Sequence, residues 1–211
     1  MGVLERRERE QQELRQQILD ATRELFAAEG YQAVTMRRIA EAIEHSPTAI
    51  YLYFKDKNEL VNELCRADFR ALAQEFRKIA EIHDPLKRLR NAALSYVEFG
   101  LRYPNHYCLM FMTPHPPQST ELEATKGNPE EDAYAFLKHV VGECIQAGLF
   151  REECSDVDAV SQVLWAGVHG LVSLQVAKGS ADWLDWRPVR QLAAMMIHVQ
   201  LRGVLKDKKK A

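Results

Sequence analysis

No apolar stretch in these 211 residues is an uninterrupted run of the roughly 18 residues that a membrane span needs. The opening Met1-Gly2-Val3-Leu4-Glu5-Arg6-Arg7 lacks the apolar core of a signal peptide, so the expectation is a cytoplasmic chain with no membrane partner. Cysteine is sparse. Cys65, Cys108, Cys144 and Cys154 show no paired spacing such as Cys-x-x-Cys, which predicts reduced, mostly buried thiols. A surplus of one charge is lacking too: 28 Lys and Arg face 30 Asp and Glu, a net charge of −2. A protein that coats nucleic acid is usually strongly basic, so any positive field must be local. There is no phosphate loop, nucleophile elbow or carboxylate pair at useful spacing, which argues against an enzyme. Histidines at 83, 106, 115, 139, 169 and 198 have no tight ligand spacing, so neither a metal site nor a cofactor is expected.

What is present is helical pattern. With 46% hydrophobic and 27% charged residues, the chain has the composition of a globular protein of one large or two small domains. Leu14, Ile18, Ala21 and Leu25 recur at three and four, ending at Gly30 as a C-cap. Thr35 stands where an N-cap belongs, before Met36, Ile39, Ala40 and Ile43. Ser46-Pro47 opens a brief third helix that ends near Phe54, and Asp56 caps a fourth that runs to about Ile79. Further helices are predicted from Leu86 to Leu101, His106 to Met112, Pro129 to Ala147, Val157 (capped by Ser155) to Ala177, and Val189 to about Leu205. A proline-rich loop is expected over 113–128, a Trp183/Trp186 connector before the last helix, and a frayed lysine tail over 206–210. No strand and no repeat stand out. The reading is all-α, with about nine helices.

Two short helices joined by a tight turn and braced by a third can place a helix in the major groove. On the third helix, Ile50 and Phe54 point one way, with Tyr53 near them, toward helices one and two. Thr48, Leu52 and Lys55 point the other way, flanked by Ala49 and Tyr51. Such a face is odd for solvent, but its methyls suit thymine methyls and its hydroxyls suit bases or phosphates. Ser46 to Lys55 contains no acidic residue, although Glu41 and Glu44 lie just before it and offset Arg37 and Arg38. Thr35, at a helix start, can offer a hydroxyl and an N–H to a phosphate. Pattern alone leaves this reading level with a three-helix piece of a larger helical domain.

Residues 14–64 resemble the DNA-binding domain of the TetR/AcrR family. The resemblance is carried by Ile18-Leu19, Ala21, Leu25-Phe26, Gly30-Tyr31, Thr35, Ile39-Ala40, and Ser46 with Ile50-Tyr51-x-Tyr53-Phe54-Lys55-x-Lys57-x-x-Leu60. It implies an all-helical homodimer: an N-terminal three-helix helix-turn-helix DNA-binding domain over 1–60, and a C-terminal helical effector-binding and dimerisation domain over 61–211. It also implies that Thr35, Tyr51, Tyr53 and Lys57 grip phosphates and that Pro47, Thr48, Ala49 and Leu52 face bases. With Arg37, Ser46 and Lys55, these complete the candidate DNA-binding set. The sequence departs from the family pattern at Glu44 and Thr48, where glycine is common, at His45, where a small aliphatic is usual, and at Leu52, which replaces a frequent histidine or aromatic. The operator sequence is thereby put beyond reach.

The helix over 157–177 is apolar nearly all round, and a helix apolar on every face is buried on every face. A second copy would cover it. Val160, Leu164, Val168 and Leu171, with Leu192, Met196 and Val199 of the last helix, are the candidate dimer interface. Twofold pairing implies an inverted-repeat, double-stranded operator. Trp165-Ala166-Gly167-Val168-His169-Gly170 resembles a Trp-x-x-x-His-Gly signature carried by one branch of the family. His169 either lines an effector pocket or is a histidine satisfied by a neighbour, and Gly167 and Gly170 suggest a close helix approach. Phe69, Tyr96, Phe99, Tyr103, Tyr107, Phe111, Phe136, Trp165 and His169 are candidate pocket residues for an unknown, largely apolar small molecule; as plain core they need no pocket. The leading expectation is a repressor released from its operator by that effector, with helix 57–79 as lever. The alternatives are a redox-responsive regulator using Cys108, Cys144 and Cys154, or a helical interaction module without DNA binding.

Overall fold

The structure is a computed structural model that describes residues 3–113 and 126–207. Most of the expected proline-rich loop, His115 included, lies outside the described residues, as do 208–210 of the lysine tail. Among the described residues there are nine α-helices and no strand, only one isolated antiparallel bridge between Phe150 and Leu205. The helices are α1 (Val3–Glu29), α2 (Met36–Ala42), α3 (Pro47–Tyr51), α4 (Lys57–Arg77), α5 (Pro85–Arg102), α6 (Pro104–Tyr107), α7 (Ala133–Gln146), α8 (Val157–Lys178) and α9 (Val189–Val204). The fold class is therefore all-α, as the periodicity requires.

Boundaries differ from the sequence reading for identifiable reasons. α1 begins well before Leu14, because residues 5–13 are exposed and are held by pairs one turn apart (Arg6–Glu10 at 2.8 Å, Arg9–Glu13 at 3.0 Å) rather than by burial. α7 starts at Ala133 and not at Pro129, since the Asp132 carboxylate accepts from the Tyr134 and Ala135 amides at 2.8 and 3.1 Å. Asp156, not Ser155, caps α8, accepting from Asp158 and Ala159 at 2.9 and 3.1 Å. The helix expected over His106 to Met112 is α6 followed by a π-helical turn, Cys108–Met112.

The chain forms two compact units, and the division falls inside α4 after Asp68. The first unit comprises residues up to 68 together with 105–113. Its core holds Ile18, Leu25, Val34, Ile39, Ile50, Phe54, Leu60, Val61 and Leu64. The second unit comprises the rest, with α5, α7, α8 and α9 packed on one another. Leu89, Val97, Val140, Val141, Val172, Ile197 and Leu201 are buried there. α8, 22 residues with a mean hydropathy of 1.2 over 18 of them, has by length and composition what a membrane span has. Its Val160, Leu164, Val168 and Val172 are buried in a unit where α5, α7 and α9 pack on it, so they are core residues of a helical bundle.

Candidate nucleic-acid interface

The first unit presents α3 on a defined turn. The Ser46 hydroxyl accepts from the Ala49 amide at 3.2 Å, and Pro47 supplies a first helical residue that needs no donor. Before it, α2 closes with the His45 amide on the Ala40 carbonyl (2.9 Å) and the Glu44 amide on the Glu41 carbonyl (3.2 Å). This double closure requires a left-handed residue, and Glu44 supplies it at φ 57°. Glycine is common there in the resembling family for that geometric reason. The same closure ends α7, where Gly148 (φ 68°) occupies the equivalent place.

The two faces of α3 separate as its wheel predicts. Ile50 is 0% and Phe54 1% exposed, whereas Leu52 is 80% and Tyr51 54% exposed. Ser46, Pro47, Thr48 and Lys55 are exposed, and Ala49 and Tyr53 are half-buried. Thr35 caps α2 by accepting from the Arg38 amide at 3.1 Å, and it is exposed. Arg37 is exposed and paired with Glu41 at 3.1 Å. Arg38 is bound instead to Glu29 of α1 through Nε and Nη2. Of the two acids at the turn, Glu41 is thus engaged by an arginine, whereas Glu44 is exposed.

Lys57 has a different setting from the other ten. Its Nζ donates to the Tyr31 and Val34 carbonyls at 2.8 and 2.9 Å and lies 4.2 Å over the Tyr31 ring. Burial lowers its pKa. Two of its three donors fasten the α1–α2 connection, so one remains for a phosphate. That connection presents Thr35, and Lys57 positions it.

The pocket candidates divide between the units. Tyr107 (buried) and Phe111 (half-buried) meet as tilted rings with centroids 5.1 Å apart in the first. In the second, Phe136 meets Phe76 at 5.3 Å and Phe99 meets Tyr103 at 5.4 Å, both as tilted ring pairs, while Phe69 is half-buried. Trp165 and His169 converge on one atom: the Trp165 Nε1–H donates to the Tyr96 hydroxyl at 3.1 Å, and that hydroxyl lies 3.1 Å from His169 Nδ1. Burial depresses the pKa of His169, favouring the neutral ring. With the ring proton on Nε2, the Tyr96 O–H donates to Nδ1. The alternative of a histidine satisfied by a neighbour thus has a named neighbour.

On α8 and α9 the chain's own packing consumes part of the expected pairing face. Val160, Leu164 and Val168 are buried, Leu171, Leu192 and Met196 are half-buried, and only Val199, at 61%, is open. The exposed apolar residues are Val163 (61%), Leu174 (54%), Met195 (65%) and Val199. The sequence reading took the helix over 157–177 as apolar nearly all round without choosing Val163 and Leu174 as its outer face, and passed over Met195. Their signal was the spacing Ala159, Val163, Ala166, Gly170, Leu174, which is one stripe of a helix. Gly167 serves an approach inside the chain, for a β-carbon there would overlap the Gln200 side chain, whose amide donates to the Val163 carbonyl at 3.0 Å. A β-carbon at Gly170 would meet nothing.

All four cysteines are free thiols. Burial pushes Cys65 and Cys144 up to about 12 and raises Cys108 as well, the opposite of what a reactive thiolate needs.

Residues 18–64 match the family described as bacterial regulatory proteins, tetR family, and residues 89–199 match the tetracyclin repressor-like C-terminal domain. The probable acrEF/envCD operon repressor of Escherichia coli (strain K12) is 26% identical over 168 residues, 75% of this chain and 74% of its own. The transcriptional regulator QacR of Staphylococcus aureus is 29% identical over 166 residues, 76% of this chain and 85% of its own. In fold, the chain is similar to a protein of unknown function from Rhodococcus sp. RHA1, with a TM-score of 0.73 at 21% identity, covering 92% of this chain and 96% of the other. With both the reading unit and more than half of the remaining chain matched, this protein belongs to the TetR family of bacterial regulatory proteins.

Proposed function

We propose that this chain is a dimeric repressor that reads an inverted-repeat operator through α3 and leaves it when a small, largely apolar effector binds. Its class is DNA-binding transcriptional regulator, as its family and relatives require. The observation that carries the reading of α3 is the split between Ile50, 0% exposed, and Leu52, 80% exposed, two residues apart. The exposed Leu52 and Tyr51 stand side by side on the outer face, where thymine methyls and base edges would cover their apolar surface. Pro47, Thr48, Ala49 and Leu52 take base edges. Thr35, Tyr51, Tyr53 and the remaining donor of Lys57 take phosphates, with Arg37, Ser46 and Lys55 beside them.

Dimerisation through α8 and α9 is supported by the open stripe of Val163, Leu174, Met195 and Val199, which a second copy would cover. The aromatic content of the second unit supports an apolar effector. We place the chain in the branch that carries Trp-x-x-x-His-Gly, here Trp165, His169 and Gly170, and read it as a cytoplasmic non-enzyme. The test uses full-length protein and a duplex selected from a random pool. Tyr51→Ala should lower affinity about tenfold while the dimer persists, and wild-type binding should weaken steeply between 50 and 200 mM salt. Equal binding by mutant and wild type, with no salt dependence, would remove the reading and favour an interaction module.

A further inference from the structure

Among the described residues, Asp68 is the only charged side chain that is buried, at 2% exposed. Both of its oxygens are engaged. Oδ2 accepts from Arg23 Nη1 of α1 at 2.7 Å, and Oδ1 lies 2.8 Å from His106 Nδ1 of α6. The partners stand 45 residues before and 38 residues after it in the chain. One turn earlier on α4, the Cys65 thiol faces the Leu109 carbonyl at 3.9 Å, so a second contact ties α4 to the same segment. That segment, 105–113, lies in sequence between α5 and α7, yet it packs with the DNA-reading unit. It contains a π-helical turn, a rare geometry that concentrates at functional places.

α1 is also the brace of the reading head. It packs on α2, and its Arg15 guanidinium lies 5.0 Å over the Phe54 ring just after α3. A buried carboxylate that loses one of two donors is left undercompensated, which destabilises the packing around it, its remaining partner and the helix bearing that partner included. We infer that Asp68 is a positioning residue for DNA reading: holding Arg23 and His106 at once, it makes the seating of α1, and through α1 that of α3, conditional on the docking of 105–113. The inference rests on the DNA-binding reading above. It adds that the reading head is built from two separated pieces of chain, latched at one carboxylate. Undocking of 105–113 is then the event that disables the head.

The test compares full-length wild type, His106→Ala, His106→Asn and Asp68→Asn on a duplex that wild type selects from a random pool. Asparagine can place an amide donor near the position of His106 Nδ1. The expected result is an affinity loss of about tenfold or more for His106→Ala and Asp68→Asn, with His106→Asn close to wild type. Hydrogen exchange in His106→Ala should quicken in α1 and 105–112 together while α5 and α7–α9 keep wild-type rates. Wild-type affinity for His106→Ala overturns the inference, as does exchange that quickens equally in every helix. If Asp68→Asn fails to fold, the two His106 variants decide alone. If wild type selects no duplex, the DNA-binding reading fails on its own, and the exchange pattern still decides whether Asp68 couples α1 to 105–112.

Discussion

Glu44 shows how one residue can sit against both its backbone and its surroundings. At φ 57° it occupies the left-handed region, which costs a side chain with a β-carbon on the order of 1 kcal/mol relative to glycine. It also brings a carboxylate to the turn that precedes α3, where phosphates would pass. Glu44→Gly should therefore raise unfolding stability by about 1 kcal/mol in urea titrations and tighten duplex binding as well. A loss of stability would show that the strain assigned to this position is not there. The sequence pointed to this residue only through its departure from a family glycine; the dihedral supplies the reason. Lys57 was the opposite case. Its motif position suggested a phosphate ligand, and nothing in the sequence signalled that its ammonium would fasten the Tyr31 and Val34 carbonyls, because those partners lie 26 and 23 residues away.

At the scale of the element, α8 clamps α5 through two side chains. Trp165 and His169, one turn apart, both engage the Tyr96 hydroxyl. His169 is neutral in this setting because burial lowers its pKa from 6.5, so the unfolded chain binds a proton that the folded chain resists. The contribution is fully present above the unfolded value and is lost as pH falls toward the lower, folded one. Thermal scans between pH 7.5 and 5.5 should thus show stability falling, and His169→Asn, which keeps an acceptor for Tyr96 and does not titrate, should flatten that fall. An unchanged slope in the variant would place the pH dependence elsewhere. Element existence was largely legible in the sequence, since apolar spacing follows burial. Ends were less so: Asp132 and Asp156 each displaced the expected start or cap by reaching amides two and three residues on, a choice among neighbouring polar residues that pattern does not make. The π-helical turn after α6 was invisible for a related reason, for Cys108–Met112 reads as plain helix.

For the whole molecule, the decisive surface is what the chain leaves uncovered. Leu164, at 8% exposed, belongs to the protomer, and Leu164→Ala should cost about 2–5 kcal/mol of folding stability. Val163 and Met195, at 61% and 65%, have little to lose within the protomer. Val163→Glu combined with Met195→Glu should leave helicity intact and convert dimer to monomer in sedimentation velocity. A double variant that still sediments as wild type would move the pairing surface off this stripe. Sequence identified the two helices but not their outward stripe, because a helix apolar all round gives no sign of which side its own chain covers.

The division of labour on α3 bears on how such a protein diversifies. Ile50 and Phe54 answer to the fold, while Thr48 and Leu52, exposed to water, answer to none of it. After a gene duplication, either of those letters can be rewritten without a folding penalty. With those two side chains facing base edges as proposed, a copy of this chain would acquire a new genomic address in single steps, each of them a viable protein.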